Sequence, residues 1–370
     1  MPPPGARVLV AMSGGVDSAA AAVLLAERGC DCVGVTLRLV PEPEGKSVFE
    51  PCCGLEAVHD AARVCEKIGI PHEILHAVEP FDRGIITRFV REYAAGRTPN
   101  PCIRCNRMIK FGALHRRAAA LGCSHVAMGH YVRLVSFGGR VALRRAVHRA
   151  KDQSYVLAPL TQAQLRRSCF PLGCLDKEAS RAVAARVDLR SSRKAESQEI
   201  CFVADRDHAR FVESRAGLAL PGPILDAAGR RLGTHRGLIR HTIGQRKGLG
   251  IGADRPLYVI ALDPARNAVI VGYEEEGYCR EFTTGPLFWG GMAPSGEPFD
   301  CRAQLRSRHD PGRATVFPNR LGARVTLTDP QKAVTPGQWA AFYDDDGCVL
   351  AAAEIRAAAA VPVTPDSPPA

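Results

Sequence analysis

Ala11-Met12-Ser13-Gly14-Gly15-Val16-Asp17-Ser18 is the stretch that decides the fold of this chain of 370 residues. A short apolar run, Val8 to Val10, precedes it, and an alanine-rich segment, Ser18 to Glu27, follows it. This order predicts a strand, a tight glycine turn and a helix. Two adjacent glycines let the backbone turn sharply, so that successive N–H groups point into one concavity at the positive end of the helix. Such a concavity binds phosphate.

Three side chains add to the chemistry of this turn. Ser13 and Ser18 place hydroxyl donors at its rim, and Asp17 offers an acceptor to a ribose, a metal ion or a loop N–H. The lysine of the G-x-x-x-x-G-K-[ST] loop is missing, which excludes that class of nucleotide-binding protein. A bare pair of glycines would also fit a turn without a ligand. The full string resembles the pyrophosphate loop of enzymes that adenylate a carbonyl oxygen and release pyrophosphate.

The segments that follow alternate between apolar strands and helices with an apolar face. Strands are predicted at Cys32 to Leu39, His72 to Ala77 and Ser124 to Gly129, and helices at Leu55 to Ile68, Pro80 to Ala95, Asn106 to Leu121, Thr161 to Cys169 and Lys177 to Arg186. This alternation predicts an α/β fold with a doubly wound parallel sheet. Ligands of such sheets bind beyond the carboxyl ends of the strands, where the glycine turn and Gly129-His130 would both lie.

From Pro221 onward, glycine and proline residues separate short apolar runs. These runs predict a small central β-rich domain followed by a C-terminal β-barrel. We therefore expect an adenylation and thiolation domain over residues 1–208, the central domain over 209–278, the barrel over 279–356 and a disordered tail over 357–370.

The net charge and the cysteine content of the chain indicate what kind of partner it binds and in which cellular compartment it works. The net charge of +11 and the isoelectric point of about 9.1 favour a polyanionic partner, with nucleic acid as the first candidate. Fourteen cysteines in a chain of this size, which opens without a charged and apolar leader, indicate a reducing, cytoplasmic setting. No apolar run approaches the length of a membrane span, so we expect no membrane partner.

Two cysteine-bearing segments are candidates for sulfur chemistry. Cys102-Ile103-Arg104-Cys105 comes directly before the helix predicted from Asn106, where the positive helix end and nearby cations favour a thiolate at Cys105. A redox pair, half of a zinc site and chance each explain a lone C-x-x-C. Cys201 stands in an apolar run with polar residues on either side, and this run predicts a strand. Cys201 alone is also explained as a buried strand cysteine.

Six strings occur together in a fixed order, and their joint occurrence is more specific than any one of them. They are S-G-G-V-D-S at 13–18, T-P-N-P-C-x-x-C-N at 98–106, G-H-Y at 129–131, K-D-Q-S-Y at 151–155, E-S-Q-E-I-C-F-V at 196–203 and T-I-G-Q-R-K-G-L at 242–249. From residue 6 to about residue 355, the chain resembles the tRNA-specific 2-thiouridylases.

This resemblance implies a reaction in two stages on the wobble uridine of certain tRNAs. ATP, together with Mg²⁺, first transfers AMP to the C2 oxygen of the base, and sulfur then arrives as a persulfide and displaces AMP. The implied partners are tRNA and a sulfur-donor protein. The resemblance assigns the persulfide to Cys201 and the role of its partner, the nucleophile, to Cys105, with a Cys105–Cys201 disulfide forming as sulfur is released.

The resemblance also implies binding residues. Ala11 to Ser18, Leu37 and Gly129 match positions at the nucleotide, and Asn100, Pro101 and Cys102 match the segment beside the target base. The positions that match residues in contact with tRNA are His130, Lys151, Asp152, Gln153, Ser307, Arg308 and Gln338. Ser307 stands where the family usually has an aromatic residue.

One departure from the family pattern affects the chemistry. Cys102 stands where many relatives carry an aspartate that serves as general base. Cys102, Cys105 and Cys201 are therefore also an alternative set of three thiolate ligands for an iron–sulfur cluster, with one iron open to the incoming sulfide. The pair Cys52-Cys53 is a candidate for relaying sulfur.

Two other functions compete with thiolation. One is a pyrophosphate-loop synthetase that activates a small carbonyl substrate and delivers ammonia, which is disfavoured by the paired thiol motifs and the basic charge. The other is a non-catalytic RNA-binding protein with a remnant nucleotide loop, which is disfavoured by the intact Asp17 and Ser18.

Overall fold

The first half of the chain builds a parallel sheet with its strands in the order β3-β2-β1-β4-β7. The computed structural model describes residues 1–41, 54–187, 200–203 and 207–360. The first seven strands, including the hairpin of β5 and β6, are β1 (Arg7–Ala11), β2 (Asp31–Arg38), β3 (His72–His76), β4 (His125–Ala127), β5 (Val132–Phe137), β6 (Arg140–Arg145) and β7 (Ser168–Cys169). Every neighbouring pair in the sheet is parallel, which confirms the predicted class of fold.

Helices cover this sheet. They are α1 (Val16–Glu27), α2 (Leu55–Lys67), α3 (Val78–Phe81), α4 (Thr87–Ala94), α5 (Pro101–Cys105), α6 (Phe111–Ala120), α7 (Ser154–Leu157), α8 (Gln162–Arg166), α9 (Lys177–Ala185) and α10 (His208–Ala216). Single π-helical turns, Asp82–Ile86 and Asn106–Lys110, join α3 to α4 and α5 to α6. Helix α1 is apolar on nearly all sides because it packs between the sheet and α9.

The strand order places a topological switch point between β1 and β4. The chain leaves β1 towards β2 on one side, and β4 enters the sheet on the other side of β1. The loops after β1 and β4 therefore separate at their carboxyl ends and leave a crevice, which is where open α/β sheets bind ligands.

The second half of the chain contains two antiparallel-rich β units. A four-stranded sheet in the order β10-β11-β8-β9 consists of β8 (Gly222–Asp226), β9 (Arg231–His235), β10 (Tyr258–Asp263) and β11 (Ala268–Gly272). The barrel unit consists of β12 (Tyr278–Thr284), β13 (Phe288–Trp289), β14 (Phe299–Gln304), β15 (Gly312–Asn319), β16 (Gly322–Lys332), β17 (Trp339–Tyr343) and β18 (Val349–Ala360). Pairing of β12 with β18 closes the barrel, which leaves these two strands without an open edge.

The barrel and the parallel sheet share one hydrophobic core. Trp339 and Tyr343 of β17 are buried in the same cluster as Leu9 of β1 and Val33 of β2. Burial of a large aromatic side chain contributes about 2–3 kcal/mol relative to its exposure, so several such residues resist separation of the two units. The core therefore fixes the barrel against the domain that carries the glycine turn.

The structure corrects three expectations. The helix predicted from Asn106 begins at Pro101, because Asn100 caps it and Pro101 is compatible with a first helical position. The segment Thr161 to Cys169 forms helix α8 and strand β7 instead of one helix. The last strand runs to Ala360, so residues 357–360 pair with β12 rather than belonging to a tail. Cys52 and Cys53 lie outside the described residues.

Candidate active site

The glycine turn between β1 and α1 has the geometry of an anion site. Gly14 has a φ of +69°, and a Cβ at this position would lie 2.8 Å from Cα of Ala57 on α2, so only glycine fits. The Ser18 hydroxyl donates to the Gly15 carbonyl at 2.9 Å and accepts from the Ser13 N–H at 3.1 Å. The N-cap of α1 is Gly15, which has no side chain to cover the helix end. The positive end of α1 therefore faces the crevice.

The loop after β4 contacts this turn directly. A Cβ at Gly129 would lie 2.6 Å from the carbonyl carbon of Asp17 and 2.9 Å from the nitrogen of Ser18, so glycine is needed for the close approach. This contact confirms that the glycine turn and Gly129-His130 meet at one edge of the sheet. Leu37, near the end of β2, packs against the sheet core and against a second cluster that contains Cys105.

Two residues that the sequence did not single out hold the carboxylate of Asp17. The Tyr131 hydroxyl donates to Asp17 Oδ1 at 2.6 Å, and Lys177 Nζ lies 2.8 Å from the same oxygen. Lys177 begins helix α9, its side chain is only 14% exposed, and its ammonium lies 5.9 Å from the centre of the Tyr131 ring. The fold thus supplies a cation at a loop whose own sequence lacks one. Tyr131 stands within the G-H-Y string, but no sequence spacing points to Lys177.

Two of the residues expected at tRNA bind the protein itself. Gln153 Oε1 accepts the Tyr131 N–H at 2.9 Å, and the Gln153 N–H donates to the Tyr131 carbonyl at 2.9 Å. The side chain of Asp152 is 6% exposed and accepts the Ala146 N–H at 2.9 Å and the Ser154 hydroxyl at 2.6 Å. The Gln153 contacts position Tyr131, and through it Asp17, whereas Lys151 is partly exposed beside them.

His130 packs between aromatic rings at the crevice. Its ring centre lies 6.4 Å from that of Phe111 and 6.3 Å from that of Phe170. Burial and, to a smaller extent, the positive charge of the nearby Lys110 lower the pKa of His130 to about 3, so the imidazole is neutral at physiological pH. Within the described part of the chain, its Nδ1 has no hydrogen-bond partner. A ligand that supplied one would relieve the cost of this buried polar atom.

Helix α5 presents the C-x-x-C cysteines in two different environments. Asn100 Oδ1 accepts the Ile103 N–H at 3.4 Å, which caps the helix, and Pro101 is its first residue. Cys102 is exposed in the first turn, whereas Cys105 is 5% exposed and ends the helix. The effect of the helix dipole fades beyond the first turn, so the electrostatic argument made for Cys105 from the sequence was wrong about its place in the helix.

Cys201 lies in a turn rather than the strand predicted from its apolar neighbours. The Val203 N–H donates to the Ile200 carbonyl at 3.0 Å, and the Phe202 ring packs against Phe81 at 5.7 Å and Phe89 at 5.2 Å. Residues 196–199 of the same string lie outside the described residues. Cys201 packs against the cluster that includes Cys105. The fold therefore brings the two cysteines to one cluster, which Leu37 also contacts, and both are thiols rather than a disulfide.

The three cysteines do not gather into a metal site. Across residues 1–41, 54–187, 200–203 and 207–360, no group of three or more His, Cys, Asp or Glu side chains is placed to hold a metal ion. Cys102 faces solvent, while Cys105 is buried two residues beyond Ile103 in the core. This arrangement does not fit an iron–sulfur cluster held by three thiolates.

The remaining candidates lie on the barrel. Ser307 and Arg308 are exposed between β14 and β15. Gln338 instead donates its side-chain amide to the Thr98 carbonyl at 2.8 Å, just before helix α5. In the portion covered by the structure, every helix is too short or too polar to cross a lipid bilayer.

Comparison with known proteins gives the family. Sequence profiles match in the same order as the three units: a tRNA methyl transferase HUP domain over residues 6–205, a tRNA methyl transferase PRC-barrel domain over 209–273 and an aminomethyltransferase beta-barrel domain over 279–353. The tRNA-specific 2-thiouridylase MnmA of Heliobacterium modesticaldum is 45% identical over 348 residues, which cover 92% of this chain and 90% of the relative. The chain belongs to the tRNA-specific 2-thiouridylase family.

Other members of this family show similar coverage. The tRNA-specific 2-thiouridylase MnmA of Chloroflexus aggregans is 48% identical over 342 residues, which cover 92% of this chain and 95% of the relative. A 4-thiouridine synthetase in complex with RNA and ATP is a more distant structural neighbour, with 20% identity, a TM-score of 0.37, and coverage of 54% of this chain and 45% of its own. Membership of the 2-thiouridylase family makes the chain an enzyme of the sulfurtransferase class.

Proposed function

We propose that the enzyme replaces the C2 oxygen of the wobble uridine of tRNA by sulfur, at the expense of ATP. The observation that carries this proposal is the convergence of two thiols that are distant in the sequence. Cys105 and Cys201 pack in one cluster, which contacts Leu37 at the end of β2. The neighbouring strand β1 leads into the glycine turn, so the strand beside the phosphate site ends against the cluster that holds both thiols.

ATP binds with its phosphates at the glycine turn. The N–H groups of residues 14–18 at the open end of α1 receive phosphate oxygens, and Lys177 supplies the cation that a phosphate loop of the Walker type carries in its own sequence. Besides its contacts with Tyr131 and Lys177, the Asp17 carboxylate would hold a Mg²⁺ ion, which would neutralise the pyrophosphate. The C2 oxygen of the uridine attacks the α-phosphorus, pyrophosphate leaves, and AMP stays attached through the former carbonyl oxygen.

Sulfur transfer then uses both thiols. A persulfide on Cys201 attacks C2 through its terminal sulfur, and AMP leaves with the oxygen. The Cys105 thiolate attacks Cys201 Sγ, which breaks the S–S bond of the persulfide, leaves the terminal sulfur on C2 and forms a Cys105–Cys201 disulfide. Two electrons from a thiol reductant return the disulfide to two thiols. A sulfur-donor protein reloads Cys201 with a persulfide.

Recognition of tRNA follows from charge and from the position of the thiols. The net charge of +11 supplies a salt-dependent attraction to the phosphate backbone. Single-stranded loop bases can be splayed out of their stack, so an anticodon uridine can insert beside Asn100, Pro101 and Cys102, with Lys151, Ser307 and Arg308 at the backbone. Neutral His130 offers its Nδ1 as a hydrogen-bond partner at this edge. We place this reaction in the cytoplasm.

A pair of cysteine variants tests the proposal. Purified enzyme, ATP, a persulfide donor and an unmodified tRNA transcript are incubated, and nucleosides are measured by mass spectrometry. We expect Cys201→Ser to abolish 2-thiouridine while the Kd for ATP and for tRNA stays within about twofold, since the thiol acts only in sulfur transfer. The exposed Cys174→Ser, outside the site, is the matched control and should keep the activity. Thiolation by Cys201→Ser would refute the persulfide role, and iron in the unaltered enzyme that is lost together with activity in Cys102→Ser would favour the cluster.

A further inference from the structure

The backbone just before helix α5 is held by the barrel. The Thr98 N–H donates to the Pro336 carbonyl at 3.0 Å, and the Thr98 carbonyl accepts the side-chain amide of Gln338 at 2.8 Å. Gly337, between these two barrel residues, has a φ of +94°, and a Cβ there would lie 3.0 Å from the backbone atoms of Thr98. The loop before β17 therefore satisfies both backbone polar groups of Thr98 in direct contact.

A ring of four charged side chains reinforces this contact. Arg97 binds Glu354 of β18 at 2.7 Å and also pairs with Glu92 of α4. Arg88 of α4 closes the ring, because it lies 3.1 Å from Glu92 and 3.1 Å from Glu354. Both carboxylates are only 14% exposed. Partly buried networks of this kind hold a defined geometry, unlike isolated surface pairs.

Apolar contacts continue the attachment along the thiol helix. Trp339 of β17 is buried in the same core cluster as Ile103, which lies between Cys102 and Cys105. The Tyr155 hydroxyl donates to the Trp339 carbonyl at 3.0 Å. Beyond the helix, the Arg107 guanidinium lies 4.1 Å from the centre of the Phe288 ring of β13. The barrel thus contacts the segment before the two cysteines and the turn after them, and it shares a hydrophobic core with the residue between them.

We propose that the C-terminal barrel positions the thiol helix, and that Gln338 and Glu354 are positioning residues for sulfur transfer. This inference rests on the proposed function, and it gives Gln338 a role besides the tRNA contact that the resemblance implies. Cys105 must reach the persulfide sulfur of Cys201 while the base is inserted, and misplacement of a reacting group by about 1 Å can lower a rate by roughly 100-fold. The barrel contacts on either side of α5 restrict such movement of Cys105.

Two barrel variants test the inference on the full-length enzyme. Gln338→Met keeps the size of the side chain and loses the donor to Thr98, and Glu354→Gln removes one charge from the ring. The matched control is Arg302→Met, which breaks an exposed ion pair with Asp345 at 2.7 Å elsewhere on the barrel. Amide hydrogen exchange over residues 97–106 is measured without tRNA, and thiolation is measured in a single turnover at saturating tRNA and ATP.

We expect both variants to raise exchange over residues 97–106 by about tenfold, because the barrel contacts no longer restrain this segment. The single-turnover rate should fall by roughly tenfold or more, while Glu354→Gln binds tRNA within about twofold of the unaltered enzyme. The control Arg302→Met should match the unaltered enzyme in amide exchange, in single-turnover rate and in the Kd for tRNA.

Three results would overturn the inference. One is unchanged exchange and unchanged rates in both variants. Another is a Gln338→Met enzyme whose rate recovers fully at saturating tRNA, because Gln338 would then be an RNA contact alone. The third is an equal effect in Arg302→Met. If exchange rises as expected but the unaltered enzyme forms no 2-thiouridine, the positioning contact exists and the proposed function fails instead.

Discussion

At the scale of single residues, the carboxylate of Asp17 is the point where separate parts of the chain meet. It lies in the first turn of helix α1, and it receives the Tyr131 hydroxyl at 2.6 Å and the Lys177 ammonium at 2.8 Å. Gly129 approaches its carbonyl carbon so closely that a Cβ would lie 2.6 Å away. A loop without its own lysine thereby gains a cation that is fixed by tertiary structure.

Replacement of this cation tests its role. We expect Lys177→Met to raise the Kd for ATP by roughly 10- to 100-fold, because the variant loses a charge-assisted contact with the triphosphate. The Kd for AMP should change by less than about threefold, since AMP lacks the two outer phosphates. Both constants are measured by isothermal titration calorimetry on the full-length enzyme.

The same pair of helices provides the control. Arg186 and Glu27 form an exposed ion pair at 3.0 Å at the opposite ends of α9 and α1. Arg186→Met should leave the binding of both nucleotides unchanged. Equal weakening of ATP and AMP in Lys177→Met would mean that the lysine only stabilises the loop, and an unchanged Kd for ATP would remove it from the site.

At the scale of elements, the sequence specified strands, helices and glycine turns well because these depend on local patterns. The turn after β1, the parallel sheet and the meeting of Gly129 with the first loop follow from glycine spacing and the alternation of β and α segments. Helix α5 was not found, because the two prolines around Asn100 look like a loop until the Asn100 cap and Pro101 are seen together. Cys201 was placed in a strand because an apolar run of four residues has no period that separates a strand from a buried turn.

Helix α6 and the loop after β4 contain two half-buried histidines with lowered pKa values. Burial, together with the positive charges of Lys110 and Arg167 respectively, lowers the pKa of His130 to about 3 and that of His115 to about 4. In the unfolded chain each imidazole titrates near its ordinary pKa of about 6.5. Below that pH the two histidines are protonated in the unfolded chain but remain neutral in the folded chain. Acid therefore favours unfolding through these two groups.

This difference predicts a pH dependence of stability. The free energy of unfolding should fall as the pH drops from about 6.5 to about 4, by up to about 1.4 kcal/mol per pH unit for each histidine. His115→Phe, next to the stacked Phe111, should reduce this slope by up to that amount. Urea unfolding of the unaltered enzyme and of the variant at pH 6 and pH 5 measures this slope. Identical slopes in the two proteins would show that His115 titrates alike in both states.

At the scale of the whole molecule, the order of domains was accessible to sequence analysis and their contacts were not. The three sequence profiles follow one another along the chain in the order that the composition suggested. Nothing in the spacing of Thr98, Gln338 and Glu354 indicates that they meet, because such contacts depend on how two completed units dock through Trp339 and its core. The same holds for Lys177, which the packing of α9 beside α1 brings to Asp17.

The docked arrangement has one chemical purpose in this account, which is to activate and thiolate the same carbon of one base. The measurement that tests this most directly follows the oxygen atom. A tRNA carrying ¹⁸O at C2 of the wobble uridine is incubated with the enzyme, ATP and a persulfide donor, and the AMP released is analysed by mass spectrometry. We predict one ¹⁸O atom in AMP for each 2-thiouridine formed, and unlabelled AMP alongside 2-thiouridine would contradict the account.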